Sequence, residues 1–225
     1  MEDISQFLSP IEIDTEIHSQ ENSLGASIKK YLPEKPFPDI KGYHLAIIGV
    51  EEERRAVNNE GSGKAANALR PHLYSLLKGN YKAKIVDLGN IRQGHAVKDS
   101  YFAITSVCHE LMKNKIVPII IGGGQDLTFP MYKAYDKIEP TINLVDIDAR
   151  FDIGGPDSEF NSAAYVGKII LHQPNILFNY SNIGYQTHFT APKETDLFRK
   201  LYFDAYRLGE VRDDMEQVEP IVRHA

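Results

Sequence analysis

The chain is short of cysteine, of long apolar runs and of clustered basic charge. Its 225 residues hold a single cysteine, Cys108, which excludes an internal disulfide. Cys108 falls among Phe102, Ile104, Val107, Leu111 and Met112 at helical spacing, so its reading is buried packing. No apolar stretch is long enough to span a bilayer, and the opening MEDISQFLSP is acidic without an apolar segment, so neither a membrane span nor a secretory signal is read. No basic run exceeds a couple of residues and the formal net charge is -6, which argues against nucleic acid or an anionic membrane as a partner. The location these absences imply is the cytoplasm. Spacing is missing too: His18, His44, His72, His95, His109, His172, His188 and His224 form neither HxH nor HExxH, so no histidine metal site is legible.

What is present centres on Ile116 to Asp152. Val117 to Ile121 is continuously apolar and rich in β-branching, which reads as a strand buried on both faces of a parallel sheet. It ends at Gly122, Gly123 and Gly124, residues that permit unusual backbone angles, and Asp126 is placed to N-cap a helix over Leu127 to Lys137. Taken alone, three glycines after a strand are a tight turn, and they fit neither the dinucleotide nor the P-loop spacing. Ile142 to Ile147 reads as a second buried strand, with Asp146, Asp148, Arg150 and Asp152 at and beyond its carboxyl end. Open α/β sheets bind ligands at that edge, so two adjacent strands are expected to bring Gln125 and the acidic cluster to one crevice. Without more information the charged run could equally be a solvated loop.

Around this centre strands and helices alternate. Residues 1 to 40 read as an arm with one or two short helices, ending in Pro33, Pro36 and Pro38. Tyr43 to Val50 reads as a buried strand, Glu51 to Arg55 as a polar loop, and Lys64 to Lys78 as a helix capped by Gly79. Lys84 to Leu88 reads as a strand and Tyr101 to Lys113 as a helix with Asp99 as N-cap. After the loop at Gly154, Gly155 and Pro156, Ala164 to Leu171 reads as a helix and Ser181 to Tyr185 as a strand. Glu194 to Ala225 is charged and helix-compatible, with Pro220 interrupting its last turn. The alternation favours a parallel sheet with helices on both faces.

GGGQD followed by DARFD resembles the ureohydrolase family of arginase, agmatinase and formiminoglutamase, which carries Gly-Gly-x-His after one strand and Asp-x-His-x-Asp after the next. Asp148 and Asp152 match that pattern; Gln125 and Arg150 stand where the family has histidines. Gly123, Gly124, Asp126, Asp146, Asn161 and Ser162 line the crevice the resemblance implies, and SEFNSAAY lacks a further family histidine. The implied fold is a three-layer αβα domain over 41–225 with a mainly parallel sheet of arginase type, following an arm at 1–40. No Asp-x-Asp strand follows, since Asp213 and Asp214 are adjacent in a charged segment. The chain is therefore expected to represent the first two thirds of the family domain, as a piece of a longer protein or a natural truncation.

The resemblance implies a hydrolase of linear amidines acting on a guanidino or formimino carbon through water between two manganese ions. Gln125 offers only a neutral oxygen, and a guanidinium has no lone pair for a cation. Arg150 is therefore expected to replace metal by hydrogen bonding to Asp148, Asp152 or Asp146. No metal is expected to bind tightly and no catalytic residue is assigned. The implied role is binding or scaffolding of a small amidine or amino-acid-like ligand, as a homo-oligomer or with a complementing C-terminal segment. An active formiminoglutamase-like hydrolase completed by that segment stays open as the alternative.

Overall fold

The computed structural model describes residues 3–13, 20–136, 138, 141–155, 158–213, 216 and 218–224. His18, Lys137, Pro156, Asp214 and Ala225, named above, lie outside them. The chain divides into two compact units, Met1–Ala134 and Tyr135–Ala225.

The first unit is a sheet of five strands: β1 (Leu8–Ser9), β2 (Lys29–Lys30), β3 (Leu45–Val50), β4 (Ile85–Ile91) and β5 (Val117–Ile121). Its order is β1-β4-β3-β5, with β2 also on β4, and every pairing is parallel except β1 with β4. The two-residue period of β3 explains the layers. Ala46, Ile48 and Val50 join Ile104, Val107, Cys108 and Leu111 of α3 (Val97–Lys113) in the larger core, while Ile47 turns to Tyr74 of α2 (Ala65–Ser75) and to Ile28. A helix thus covers each face, as a strand apolar on both sides requires. The first forty residues pack into this unit: Ile4, Leu8, Ile11, Ile28 and Ile40 are buried, and a four-residue helix α1 (Leu24–Ser27) is capped by Ser23, whose hydroxyl accepts from the Ala26 N–H at 3.1 Å.

A buried polar network locks α2 onto β4. Arg70 spends all five N–H groups: Nε and Nη2 donate to Asp87 at 2.9 and 3.0 Å, Nη1 to Asn67 and Asn90 at 2.7 and 2.6 Å, and Nη2 again to the Gly89 carbonyl at 2.9 Å. Tyr74 donates to the same carboxylate at 2.8 Å. Arg70, Tyr74 and Asp87 are fully buried, so the ion pair is tolerable only because every donor is matched. Gly49 permits the approach, since a Cβ there would lie 2.1 Å from Asn90 Oδ1.

The second unit holds β6 (Ile142–Ile147), β7 (Leu177–Tyr185) and β8 (Asp204–Arg207), all parallel in that order. Its helices are α5 (Tyr165–Ile170), α6 (Pro192–Lys200), α7 (Leu208–Asp213) and α8 (Val218–His224). Phe151 and Phe198 stack at 3.9 Å between centroids, and Tyr180 lies 5.3 Å from Phe198. In the chain, α4 (Thr128–Tyr135) follows β5 and its glycine turn and precedes β6.

Several expectations change. Among the described residues β5 pairs only with β3, so it is an edge strand there, and Val117 and Ile119 are 57% and 39% exposed. β6 is likewise an edge, and Ile147 is 81% exposed. The helix expected to stop at Gly79 ends at Ser75 with Leu76 as its cap, leaving Leu77 to bridge to Ser23. The third helix begins four residues early at Val97, because the Asp99 carboxylate reaches back to accept from the Ala96 N–H at 2.8 Å. Phe102 on that helix faces outward, at 65% exposure. β8 was hidden within the charged C-terminal segment, where polar Asp204 and Arg207 mask a four-residue strand. Pro220 sits in the first turn of α8, where no intrahelical N–H bond is lost.

Candidate functional site

The glycine turn after β5 is built for close backbone packing. Gly122 and Gly123 have φ of 90° and 77°, and a Cβ on Gly123 would meet Leu127 Cδ1 at 2.3 Å and the Glu52 carbonyl at 2.6 Å. The Gly123 N–H donates to Ser62 O at 2.9 Å and the Gly124 N–H to Glu52 O at 3.3 Å. Those N–H groups hold the loop following β3, which leaves them unavailable to cradle an anion. Gln125 follows as an exposed side chain, opening a 3-10 turn Gln125–Leu127 that runs into α4.

Asp126 does not serve as the expected helix cap. Gly124 occupies the cap, and the Asp126 carboxyl is buried, accepting a hydrogen bond from the Tyr101 hydroxyl. Burial raises its pKa, and the phenol's is raised by its own burial and by the adjoining carboxylate.

Sequence reasoning passed over Glu52. Its buried carboxylate takes Arg54 Nε at 2.9 Å, a second Arg54 nitrogen, and the Ser100 hydroxyl at 2.6 Å. Arg54 continues to the carbonyls of His95 and Gly94, both at 2.9 Å. Burial alone would raise the Glu52 pKa, but the hydrogen bonds from Arg54 and Ser100 outweigh it and bring the group to about 2. In sequence this stretch is merely a charged loop, because the partners Gly94, His95 and Ser100 arrive from 40 to 48 residues away.

In the second unit the carboxyl end of β6 gathers Asp146, Asp148 and Asp152. Asp146 Oδ2 accepts from Tyr165 and Tyr180, both at 2.9 Å, which anchors it to α5 and β7. Burial raises its pKa, against the opposing effect of the two phenols. Asp148 Oδ1 accepts from the Arg150 backbone N–H at 2.9 Å. Asp152 is 5% exposed with a φ of 47°, and burial, reinforced by the charges of Asp148 and Asp146, pushes its pKa to about 7. Asn182, fully buried and not anticipated, donates to the Arg150 carbonyl at 2.7 Å and so pins this loop to β7.

The expected hydrogen bonds from its guanidinium to Asp148, Asp152 or Asp146 are not among the contacts of Arg150 in the described residues. Its exposed side chain lays its guanidinium carbon 5.0 Å from the centre of the Phe189 ring, while its charge still lowers the Asp152 pKa against the burial and carboxylates that raise it. Asp152 points inward beside the buried Phe151, so the intervening arginine takes the outer side. The expected pairing of adjacent strands is also corrected: Gln125 follows β5, which pairs with β3, whereas Asp148 follows β6, which pairs with β7. Asn161 and Ser162 shape the turn into α5. The Asn161 side chain accepts from the Ala163 N–H at 2.9 Å, and Ser162 is buried.

The parallel sheets, the glycine turn and the Asp-x-x-x-Asp run after β6 define an α/β protein of ureohydrolase type. The model of the arginase family matches residues 43–225, and the chain belongs to that family. Formimidoylglutamase of Lysinibacillus sphaericus is 28% identical over 158 residues, which cover 67% of this chain and 48% of that protein. The chain thus spans about half the length of this curated relative. Among solved structures, formimidoylglutamase of Bacillus subtilis matches with a TM-score of 0.71 at 18% identity, over 84% of this chain and 64% of that one. Formiminoglutamase of Trypanosoma cruzi with Mn2+ gives 0.69 at 18%, over 81% and 65%. Both likenesses bear out the αβα fold with its mainly parallel sheet.

Among the described residues no group of three His, Cys, Asp or Glu side chains is placed to hold a metal ion.

Proposed function

We propose that this arginase-family chain binds a small amidine or amino-acid-like ligand without hydrolysing it, its dinuclear metal site having decayed. The observation that carries this reading is Arg150, which stands between Asp148 and Asp152 and directs its guanidinium to Phe189. A guanidinium donates five hydrogen bonds and no electron pair, so it cannot replace imidazole as a ligand. Gln125 would be a weak neutral donor at the other position. The relatives named for formimidoylglutamate motivate the ligand class: a short amino acid with an amidine at one end.

The same reading makes the protein cytoplasmic and associated, as a homo-oligomer or with a complementing C-terminal segment. Support comes from the edge positions Val117, Ile119, Val145 and Ile147, apolar yet 39% to 81% exposed. Among the described residues no helix is long and apolar enough to cross a membrane.

Elemental analysis and manganese titration of the purified chain test the proposal, beside assays with arginine, agmatine and formiminoglutamate. Substoichiometric manganese and no turnover are expected. The variant Gln125→His/Arg150→His is expected to raise manganese affinity. Stoichiometric manganese with turnover in the unaltered chain would overturn the reading in favour of an active hydrolase.

A further inference from the structure

The carboxyl ends of β7 and β8 open a second cleft whose lining residues lie outside the two family motifs. It has a volume of about 510 Å³, and its lining includes Tyr185, Gln186, Thr187, His188, Arg207, Arg212 and Asp213. Tyr185 and Arg207 are register partners, so the cleft lies where two parallel strands end side by side. That edge is where such sheets place ligands, and the volume suits an amino-acid-sized molecule.

We infer that this cleft is a subsite for the carboxylate of a small amino-acid-like ligand, received by Arg207 and Arg212. This deepens, and rests on, the ligand-binding role proposed above. Guanidinium groups match a carboxylate in plane and charge, and paired N–H donors make the strongest such contacts. The wall carries two guanidiniums against the Asp213 carboxylate, a balance suited to one negative charge rather than to a phosphate dianion. Arg207 Nε lies 3.5 Å from Glu210 Oε1, with the two side chains 50% and 65% exposed. Exposed pairs of this kind contribute little, so a ligand carboxylate can displace Glu210. Thr187, Gln186 and His188 supply further polar groups around the same opening.

The cleft is also coupled to the loop after β6. The Gln186 N–H donates to the Ala149 carbonyl at 2.9 Å, and Phe189, one residue beyond the wall, carries Arg150 on its ring.

Calorimetric titration of the full chain with L-glutamate, agmatine and inorganic phosphate tests the subsite, repeated for Arg207→Gln, Arg212→Gln and the distant surface variant Lys200→Gln. Saturable glutamate binding is expected, weakened about tenfold or more by either arginine change and unaltered by Lys200→Gln, with agmatine and phosphate binding less tightly. Circular dichroism on each variant confirms that the fold persists. Glutamate affinity indifferent to both arginines, no saturable glutamate binding, or phosphate or agmatine binding as tightly as glutamate would each overturn the inference. Manganese-dependent turnover would instead sink the non-hydrolytic reading while leaving arginine-dependent glutamate affinity as evidence for the subsite.

Discussion

Arg150 places its guanidinium carbon 5.0 Å from the centre of the Phe189 ring, while its own backbone N–H donates to Asp148 at 2.9 Å. The residue thus hydrogen-bonds the acidic cluster through its main chain, while its side-chain charge acts on Asp152 only through space. Asp152 meets burial and two neighbouring carboxylates without a hydrogen-bonded guanidinium, and its pKa stands at about 7.

Because Arg150 is exposed, its removal is expected to be mild. Arg150→Ala should lower stability by less than about 1 kcal/mol, the size of an exposed cation–π contact. Urea denaturation reads this directly. A loss of about 3 kcal/mol or more would mean that the arginine balances a buried charge after all.

Arg70 is the contrasting case. Arg70→Met leaves Asp87 buried and charged with only Tyr74 and the Gly89 N–H as donors, and the expected loss is about 3–5 kcal/mol. The double variant Arg70→Met/Asp87→Leu removes the stranded charge and should recover part of that loss. Equal losses in the single and double variants would show that packing, not the unpaired carboxylate, sets the cost.

Glu52 makes stability depend on pH. Its folded pKa of about 2 lies below the ordinary glutamate value of 4.5, so its contribution is complete above the unfolded pKa and disappears as pH falls through the folded one. Glu52→Gln is expected to cost about 2–3 kcal/mol at pH 7. The difference from the unaltered protein should shrink between roughly pH 5 and pH 2. Denaturation midpoints across that interval test it; a constant difference would remove Glu52 as the titrating group.

Exposed sheet edges give an association prediction. Sedimentation velocity should show concentration-dependent growth, reduced by Ile147→Lys, since an inward or edge charge blocks strand pairing. A monomer at every concentration would mean that these edges need no cover.

How much of this was legible in advance differs between elements. The bounds of Val117–Ile121 and Ile142–Ile147 agree with the sequence reading residue for residue, because short β-branched runs bounded by turn residues leave little choice. Asp204–Arg207 was illegible, because half of its side chains are polar and its pairing with β7 provides what its own pattern lacks. Asp148 and Asp152 were found through their motif. Glu52, Asn182 and the Arg207 cleft were not, since each acquires its meaning from partners far along the chain.

Local sequence by itself determined the alternation of strands and helices, the burial of Cys108 and the chemical incapacity of Arg150 to bind a metal. These follow from side-chain pattern, from apolar spacing and from the absence of a lone pair, none of which needs a neighbour. Only the tertiary structure decided where the charges go. Asp87 acquired Arg70, Glu52 acquired Arg54 and Ser100, and Arg150 took an aromatic ring instead of the acids beside it. An ion pair requires both burial and direction, and the backbone fixes direction only when distant strands and helices have packed.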